Sequence, residues 1–496
     1  MGTEPIEAWG PALALLPSLV AAGLIRLSSR RPALREAWSL IASAAQAAAV
    51  FSLVPAAAGG AVVQTTLIEL APGIPLLLRV DALGSVFAAL ASGLWVLTTV
   101  YSIGYVRSLQ EHAQTRYFFC FALCLFAAVG VAFAGNLLTF FLFYEILTVS
   151  TYPLVVHKQT GAAVRAGRMY LAYTLTAGVA LLTAVALTQA LAGTTEFRPG
   201  GILPGTLPIG TLWALLGLFV LGVGVKAAVM PLHSWLPVAM IAPTPVSALL
   251  HAVAVVKAGV FGVVRVVGYV VGPDLLEGLG ASSLLAWLAA GTILGASLLA
   301  LTQDNLKRLL AFSTISQLSY IVLGAALGTP SGLAGAIQHI VNHGVTKITL
   351  FFCAGAIYVA SGRESVSQLA GIGRRMPVTM GAFAVAALGI SGLPPASGFL
   401  SKWYLIRGAL EADQWPFALV LLVSSLLNLA YFVPIIISAF FGSPEEAGGV
   451  AEAPATLLVP IVLTGAASVL LGMAPDAPVA FLSLASGAAA AILGAP

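Results

Sequence analysis

Eight side chains in this sequence could carry acid–base chemistry in an unusual setting: Glu145, Lys226, His251, Lys257, His339, His343, Lys347 and Lys402 all lie inside long apolar runs. An ionised group at the centre of a bilayer costs at least about 2.5 kcal/mol. Five such charges therefore need a use. A lone buried carboxylate takes up a proton, whereas one beside an ammonium can stay charged. Glu145 and Lys226 sit at similar depth in their segments, and we expect them to pair. If the carboxylate's influence on the lysine changes, the lysine alternates between holding and releasing a proton. His339, His343 and Lys347 recur every four residues and so share one helix face. Neutral imidazoles titrate near physiological pH and can pass protons between lysines. His251 and Lys257 extend the same polar axis. A His-x-x-x-His pair can also hold zinc, but that helix has no nearby acid or cysteine, so proton transfer is the better reading and no metal is expected there. Lys402 is the residue best explained by snorkelling to an interface, because Arg407 follows five positions later.

The elements that hold these residues follow from composition. Of 496 residues only 22 are Lys or Arg and 18 are Asp or Glu, 59% are hydrophobic, and the mean hydropathy is +1.02. A soluble protein of this size could not cover its surface with so few charges, so the solvent for most of the chain is lipid. A membrane-spanning helix takes about 20 apolar residues. Fourteen segments qualify: 8–27, 37–58, 82–105, 116–134, 136–156, 168–192, 211–232, 245–271, 281–302, 305–327, 331–361, 376–410, 414–441 and 455–473. A last apolar stretch, 477–495, could span or lie at the interface. The expected fold is an all-α polytopic membrane protein. Basic loop residues test the count. Fourteen, from Arg26 to Arg375, fall on one side by strict helix parity, against Arg79, Arg198, Arg265 and Arg407 on the other. The positive-inside rule then puts the N-terminus outside the cytoplasm. The four remaining basic residues are the intramembrane lysines.

The sequence also repeats. Asn136-Leu137 opens helix 5 and Asn305-Leu306 opens helix 10, an offset of 169, and Ser150 falls opposite Ser319. Helix 7, with Lys226 ahead of Pro231, then corresponds to helix 12, with Lys402 behind Pro394-Pro395. Paired interrupted helices in two halves are the mark of a transporter whose pathway runs at the breaks. Freed backbone groups at membrane depth are tolerated only where protein or water satisfies them. The expected organisation is helices 1–3 over 1–115, a first repeat of helices 4–8 over 116–271, a second of helices 9–13 over 281–441, and helix 14 with the terminal apolar segment over 442–496. In helix 8, Thr244 and Pro245 suit a cap and first turn.

Other classes are excluded or unsupported. No basic run of the kind phosphate contacts need is present, which argues against nucleic acid. Cys120, Cys124 and Cys353 lie in apolar runs and read as buried thiols. The acidic start MGTEPIEAWG lacks a basic n-region, so the first apolar run is expected to be retained. No phosphate loop, dinucleotide fingerprint or hydrolytic triad is evident, and no cofactor is expected.

The runs YSIGYVR (101–107), NLLTFFLFYE (136–145), PLHSWLPVAMIAPTPVSALLHAVAVVKAGVFGVVR (231–265), LLAFSTISQLSYIVLG (309–324), HIVNHGVTKITLFFCAGAI (339–357) and GLPPASGFLSKWYL (392–405) resemble the antiporter-like subunits of respiratory complex I and of Mrp-type cation/proton antiporters. The resemblance covers about helices 3 to 13. It implies fourteen core helices, two inverted five-helix repeats, broken helices 7 and 12, and a central axis that moves protons. Glu145 resembles the helix-5 glutamate, Lys226 its helix-7 partner, Lys257 the helix-8 lysine with His251 beside it, and Lys402 the terminal ionisable group of helix 12. His339, His343 and Lys347 match the polar positions of helix 11. Some family members carry glutamate where Lys402 stands, and the largest carry a long lateral helix after helix 14. The D-type component of the Mrp antiporter fits best. That implies Na+/H+ exchange in the cell's inner (plasma) membrane alongside other membrane subunits. The alternatives are a pumping subunit of a redox-driven NADH dehydrogenase or membrane hydrogenase, and a membrane component of inorganic-carbon uptake.

Overall fold

A computed structural model of the chain describes residues 5–71, 73–443 and 449–494. The first four residues of the acidic start lie outside these, as do residue 72, residues 444–448 between helices 13 and 14, and residues 495 and 496, the first of which closes the terminal apolar stretch. Among the described residues twelve helices are long and apolar enough to cross a membrane. Helices 1 to 6 are Gly10–Leu27, Pro32–Ala58, Ala82–Ser108, Gln114–Ala132, Leu137–Val155 and Gly161–Ala192. Helices 9, 10, 11, 13 and 14 are Ala281–Leu301, Leu306–Leu327, Pro330–Ser361, Trp415–Phe441 and Ala455–Met473. Helix 7 is Ile209–Gly224, continued after an unwound stretch by Trp235–Val238, and helix 12 is Pro377–Ser391 continued by Ser397–Glu411. Both interruptions fall at the predicted prolines, which remove an amide donor and clash with the preceding turn.

Helix 8 differs from its expected continuous form. It runs Thr244–Ala252 and Val255–Arg265, then a π-helical stretch Val266–Val271. The break at Val253-Ala254 separates His251 from Lys257. Ala254 has φ −109° and ψ −84°, and its amide bonds to Leu249 O at 2.9 Å. No proline or glycine marks the spot. Phe481–Leu493 is a helix of 13 residues, about 20 Å long and too short to span. It packs against helices 3 and 11.

One element outside the helical expectation is a three-stranded sheet. β1 (Ile6–Glu7) pairs parallel with β2 (Val63–Ala71), which pairs antiparallel with β3 (Ile74–Val80). β3 continues onto the link between helices 4 and 5: Gly135 N bonds to Leu77 O at 2.9 Å, and Thr139 Oγ1 accepts from Leu77 N at 3.0 Å. The hairpin thus clamps the start of helix 5.

The repeat is visible in hydrogen bonds. Asn136 caps helix 5 through Thr139 N at 2.7 Å, and Leu137 N bonds to Thr195 O at 2.9 Å. At the same offset of 169, Asn305 caps helix 10 through Arg308 N at 3.1 Å, and Leu306 N bonds to Glu364 O at 2.9 Å. Thr160 and Thr329 cap helices 6 and 11 through Ala163 N and Gly332 N. Gly193 and Gly362 close those helices in the left-handed conformation, at φ 71° and 70°.

Packing sorts the helices. Helix 8 is buried along its whole length, helix 10 from Leu309 to Leu327, and helix 11 from Ser331 to Ile357. These form the interior. Helices 1, 6, 9, 13 and 14 expose large apolar side chains such as Leu19, Val179, Leu284, Leu426 and Val459. In water such patches would mark binding sites; in a bilayer they face lipid.

Candidate functional site

The titratable residues sit on interior helices 8 and 11 and on the broken helices 7 and 12, with Glu145 half-buried on helix 5. Lys226, His251, Lys257, His339, His343 and Lys347 are each 0% exposed, and Lys402 is 4% exposed. Its burial sets Lys402 apart from a snorkelling role.

At the first break, Lys226 Nζ donates to the Tyr144 carbonyl at 2.6 Å and lies 3.3 Å from the centroid of the Tyr144 ring. The unwound backbone is satisfied by neighbours. Trp235 Nε1 donates to Val225 O at 2.8 Å, and Met230 N donates to Thr292 Oγ1 of helix 9 at 3.1 Å. The expected direct Glu145–Lys226 ion pair is not formed. Successive helical residues point about 100° apart. Lys226 takes the Tyr144 side of helix 5, while Glu145 turns to helix 6 at Gly178. There a Cβ would come within 2.8 Å of Oε1. Glu145 Oε1 has no hydrogen-bond partner. Lys226 reaches helix 5 at the Tyr144 carbonyl, one peptide away from Glu145, with no direct contact between the two side chains.

Helix 8 meets this break backbone to backbone. A Cβ on Gly259 would fall far inside contact distance of Ala227 N and Lys226 C, so only glycine allows the approach. In the interior nearby, Lys257 Nζ lies 2.7 Å from His343 Nδ1. His343 stands 5.9 Å, centroid to centroid, from His339. His339 Nδ1 is 2.8 Å from Ser401 Oγ, beside the second break. His339 stacks on Tyr320, whose ring centroid lies 5.1 Å from Lys402 Nζ. Lys402 donates to Ser391 O at 3.1 Å and to Ser425 Oγ at 3.0 Å. Asn342 Nδ2 donates to Ser397 O at 2.7 Å. Polar side chains thus hold carbonyls on both sides of the second break.

Lys347 leaves this line sideways. It donates to Leu310 O at 3.2 Å and to Ser313 Oγ at 2.7 Å, and Tyr431 OH also donates to Ser313 at 2.9 Å. His251 stands apart too. Its ring packs on Phe351 and neither nitrogen has a partner. The structure therefore joins Lys257, His343, His339 and Lys402 through neighbouring side chains, attaches Lys347 to helices 10 and 13, and leaves Glu145 and Lys226 linked by backbone.

Several residues of this arrangement do not stand out in the sequence: Tyr144, Ser313, Tyr320, Ser401, Ser425 and Tyr431. Helix 10 does carry a signal. Ser313, Thr314, Ser316, Gln317 and Ser319 crowd one buried apolar helix. Both side-chain polar atoms of Gln317 remain unpaired. Buried polar groups of this kind are normally bonded to protein or water, and here they line the interior on the helix that also binds Lys347.

Comparison with known proteins agrees with this architecture. A family model described as NADH:quinone oxidoreductase/Mrp antiporter, transmembrane, matches residues 134–428. The chain is 34% identical over 417 residues to NADH-quinone oxidoreductase subunit N of Desulforudis audaxviator, covering 80% of this chain and 81% of that one. It is 29% identical over 439 residues to Na(+)/H(+) antiporter subunit A1 of Staphylococcus haemolyticus, covering 80% of this chain but only 52% of that longer one. Its fold superposes on a chain of the Mrp complex from Dietzia sp. DQ12-45-1b with a TM-score of 0.84 at 25% identity, covering 98% and 97% of the two chains.

Proposed function

Because this chain belongs to the NADH:quinone oxidoreductase/Mrp antiporter family of membrane subunits, we propose that it translocates protons through the Lys257–His343–His339–Lys402 line within a multisubunit Na+/H+ antiporter. The observation that carries the reading is the 2.7 Å approach of Lys257 to His343 between two buried helices. An ammonium and an imidazole at hydrogen-bond distance can exchange a proton without moving the backbone. Glu145 and Lys226 serve the first half of the path. Lys226 reaches the interior through the break before Pro231, and Glu145 modulates it across the Tyr144 peptide. Lys347 and His251 flank the line, and Lys402, held at the break around Pro394 and Pro395, ends it. Other membrane subunits complete the complex, and Na+ is the exchanged cation.

A second reading has its own support. The match to NADH-quinone oxidoreductase subunit N covers most of both chains, which suits a redox-driven pump using the same internal path. The two are separated by partners. The tagged chain, extracted from native membranes in mild detergent, is expected to co-purify with small hydrophobic antiporter subunits. Recovery of iron–sulfur, flavin or nickel proteins would replace the antiporter reading with the redox-driven one.

A further inference from the structure

A second titratable cluster lies outside the bundle, where short links join helices 3 to 4 and 5 to 6. Glu111 and His112 come from the first link and His157 from the second. One ligand atom from each lies within 4.8 Å of the other two. His157 Nε2 is 3.7 Å from Glu111 Oε2, and the His112 and His157 rings stack with centroids 4.8 Å apart. His157 is 1% exposed, and neither of its ring nitrogens has a hydrogen-bond partner. A buried imidazole without a hydrogen bond has lost its hydration, and the Glu111 carboxylate at 3.7 Å offsets only part of that cost. His112, by contrast, is exposed. The backbone is bent to bring these groups together: Gln110, Ala113 and Gln159, flanking the three residues, all adopt the left-handed conformation, at φ 50°, 48° and 54°. Non-glycine residues hold that conformation only where the surroundings over-determine it.

We propose that Glu111, His112 and His157 form a binding site for a single divalent transition-metal ion of the Zn2+ class. Two imidazole nitrogens and one carboxylate oxygen are a ligand set such ions take, with a fourth position left to solvent. Zinc–ligand bonds of about 2.0–2.2 Å require the three atoms to draw together from their present spacing. The exposed His112 and the side chain of Glu111 can make that movement while His157 stays fixed. Two cations oppose the ion. Arg116 donates to the His157 carbonyl at 3.1 Å, and Lys158 is the next residue in the chain. The Glu111 carboxylate offsets part of that charge. A bound ion would tie the helix 3–4 link to the end of helix 5. The inference does not depend on which complex the chain serves.

Cobalt(II) titration of the purified, chelator-stripped complex tests this, because four-coordinate Co2+ absorbs strongly in the visible and Zn2+ displaces it. We expect one such Co2+ per chain, with His112→Ala and Glu111→Gln each weakening it about tenfold or more. His112 is exposed, so its change leaves packing intact, and Glu111→Gln keeps the shape of a side chain that is 13% exposed. Absence of saturable binding to the unaltered complex would overturn the proposal. So would undiminished binding in the His112→Ala/Glu111→Gln double variant, which would move the ion to another site such as His339 and His343.

Discussion

Lys257 and His343 stand 86 positions apart in sequence, yet Nζ and Nδ1 approach to 2.7 Å at the centre of the bundle. Both are 0% exposed, so bulk water would not screen a proton exchanged between them under the proposed path. The remaining ring nitrogen of His343 has no partner, and the next ring along the line is His339. His343→Gln keeps a polar side chain but removes the relay. Proton flux per assembled complex is expected to fall by roughly 100-fold or more, the scale of a lost general acid–base group. Flux in sealed vesicles, normalised to co-purified subunits, checks it; a loss of assembly in parallel would assign His343 a structural role.

Tyr144 and Lys226 yield a finer test. Lys226 uses the Tyr144 carbonyl and ring face, and both survive in Tyr144→Phe. Only the hydroxyl bond to Gly222 O, at 3.1 Å, is lost, which costs about 1 kcal/mol of stability. Transport is expected to persist in Tyr144→Phe and to vanish in Glu145→Ala and Lys226→Ala. Lys226→Arg should also fail, because a guanidinium keeps its proton at any accessible pH. Parallel vesicle assays of the four variants decide it.

Gly259 is expected to be intolerant. A methyl there meets Ala227 N and Lys226 C, backbone atoms that cannot swing aside. Gly259→Ala should cost about 1–3 kcal/mol through overpacking and displace Lys226, lowering both the unfolding temperature in detergent and transport. Gly217 of helix 7 has nothing within 4 Å of an added Cβ. Gly217→Ala should leave both readings unchanged or slightly raised, since alanine favours helix.

Asp81 and Arg265 hold the other end of helix 8. The guanidinium donates to both carboxylate oxygens, at 2.5 and 2.7 Å, and is ringed by Phe197, Phe261 and Tyr269. Asp81 also caps helix 3 through Gly84 N at 2.7 Å. Removing one partner of such a pair leaves a buried unpaired charge, so Asp81→Ala should destabilise by about 3–5 kcal/mol. Thermal unfolding of the purified complex measures it, and a shift no larger than that of a surface substitution would show the pair to be dispensable.

Much of this architecture is legible in sequence because lipid imposes one rule, that apolar runs of sufficient length become helices. The repeat is legible in Asn136 and Asn305, and the caps they form show why asparagine stands there. Pro231 and Pro394-Pro395 announce two breaks. The third, at Val253-Ala254, has neither proline nor glycine to signal it, and helix 11 packs beside it at Gly344. A Cβ on Gly344 would meet Ala252 O at 3.0 Å. The absence of a direct Glu145–Lys226 contact has a related cause. Depth along a helix can be counted, but rotation about it depends on packing at Gly178. The β2–β3 hairpin, with Val63, Thr65, Thr66 and Ile68 ahead of Ala71-Pro72-Gly73, carries a strand signal that fourteen long apolar runs overshadow. His157 cannot be joined to Glu111 and His112 without the fold, since 45 positions separate it from the nearer of the two.

The most direct test of the proton path is the pH gradient that sealed vesicles build with the complex carrying Lys257→Met. Methionine fills much of the lysine's volume but holds no proton, so the helices should pack and the subunits assemble as before. No gradient above background, with normal assembly, is the predicted result. A gradient equal to that of the unaltered complex would contradict the account, because protons would then be crossing without the Lys257–His343 contact.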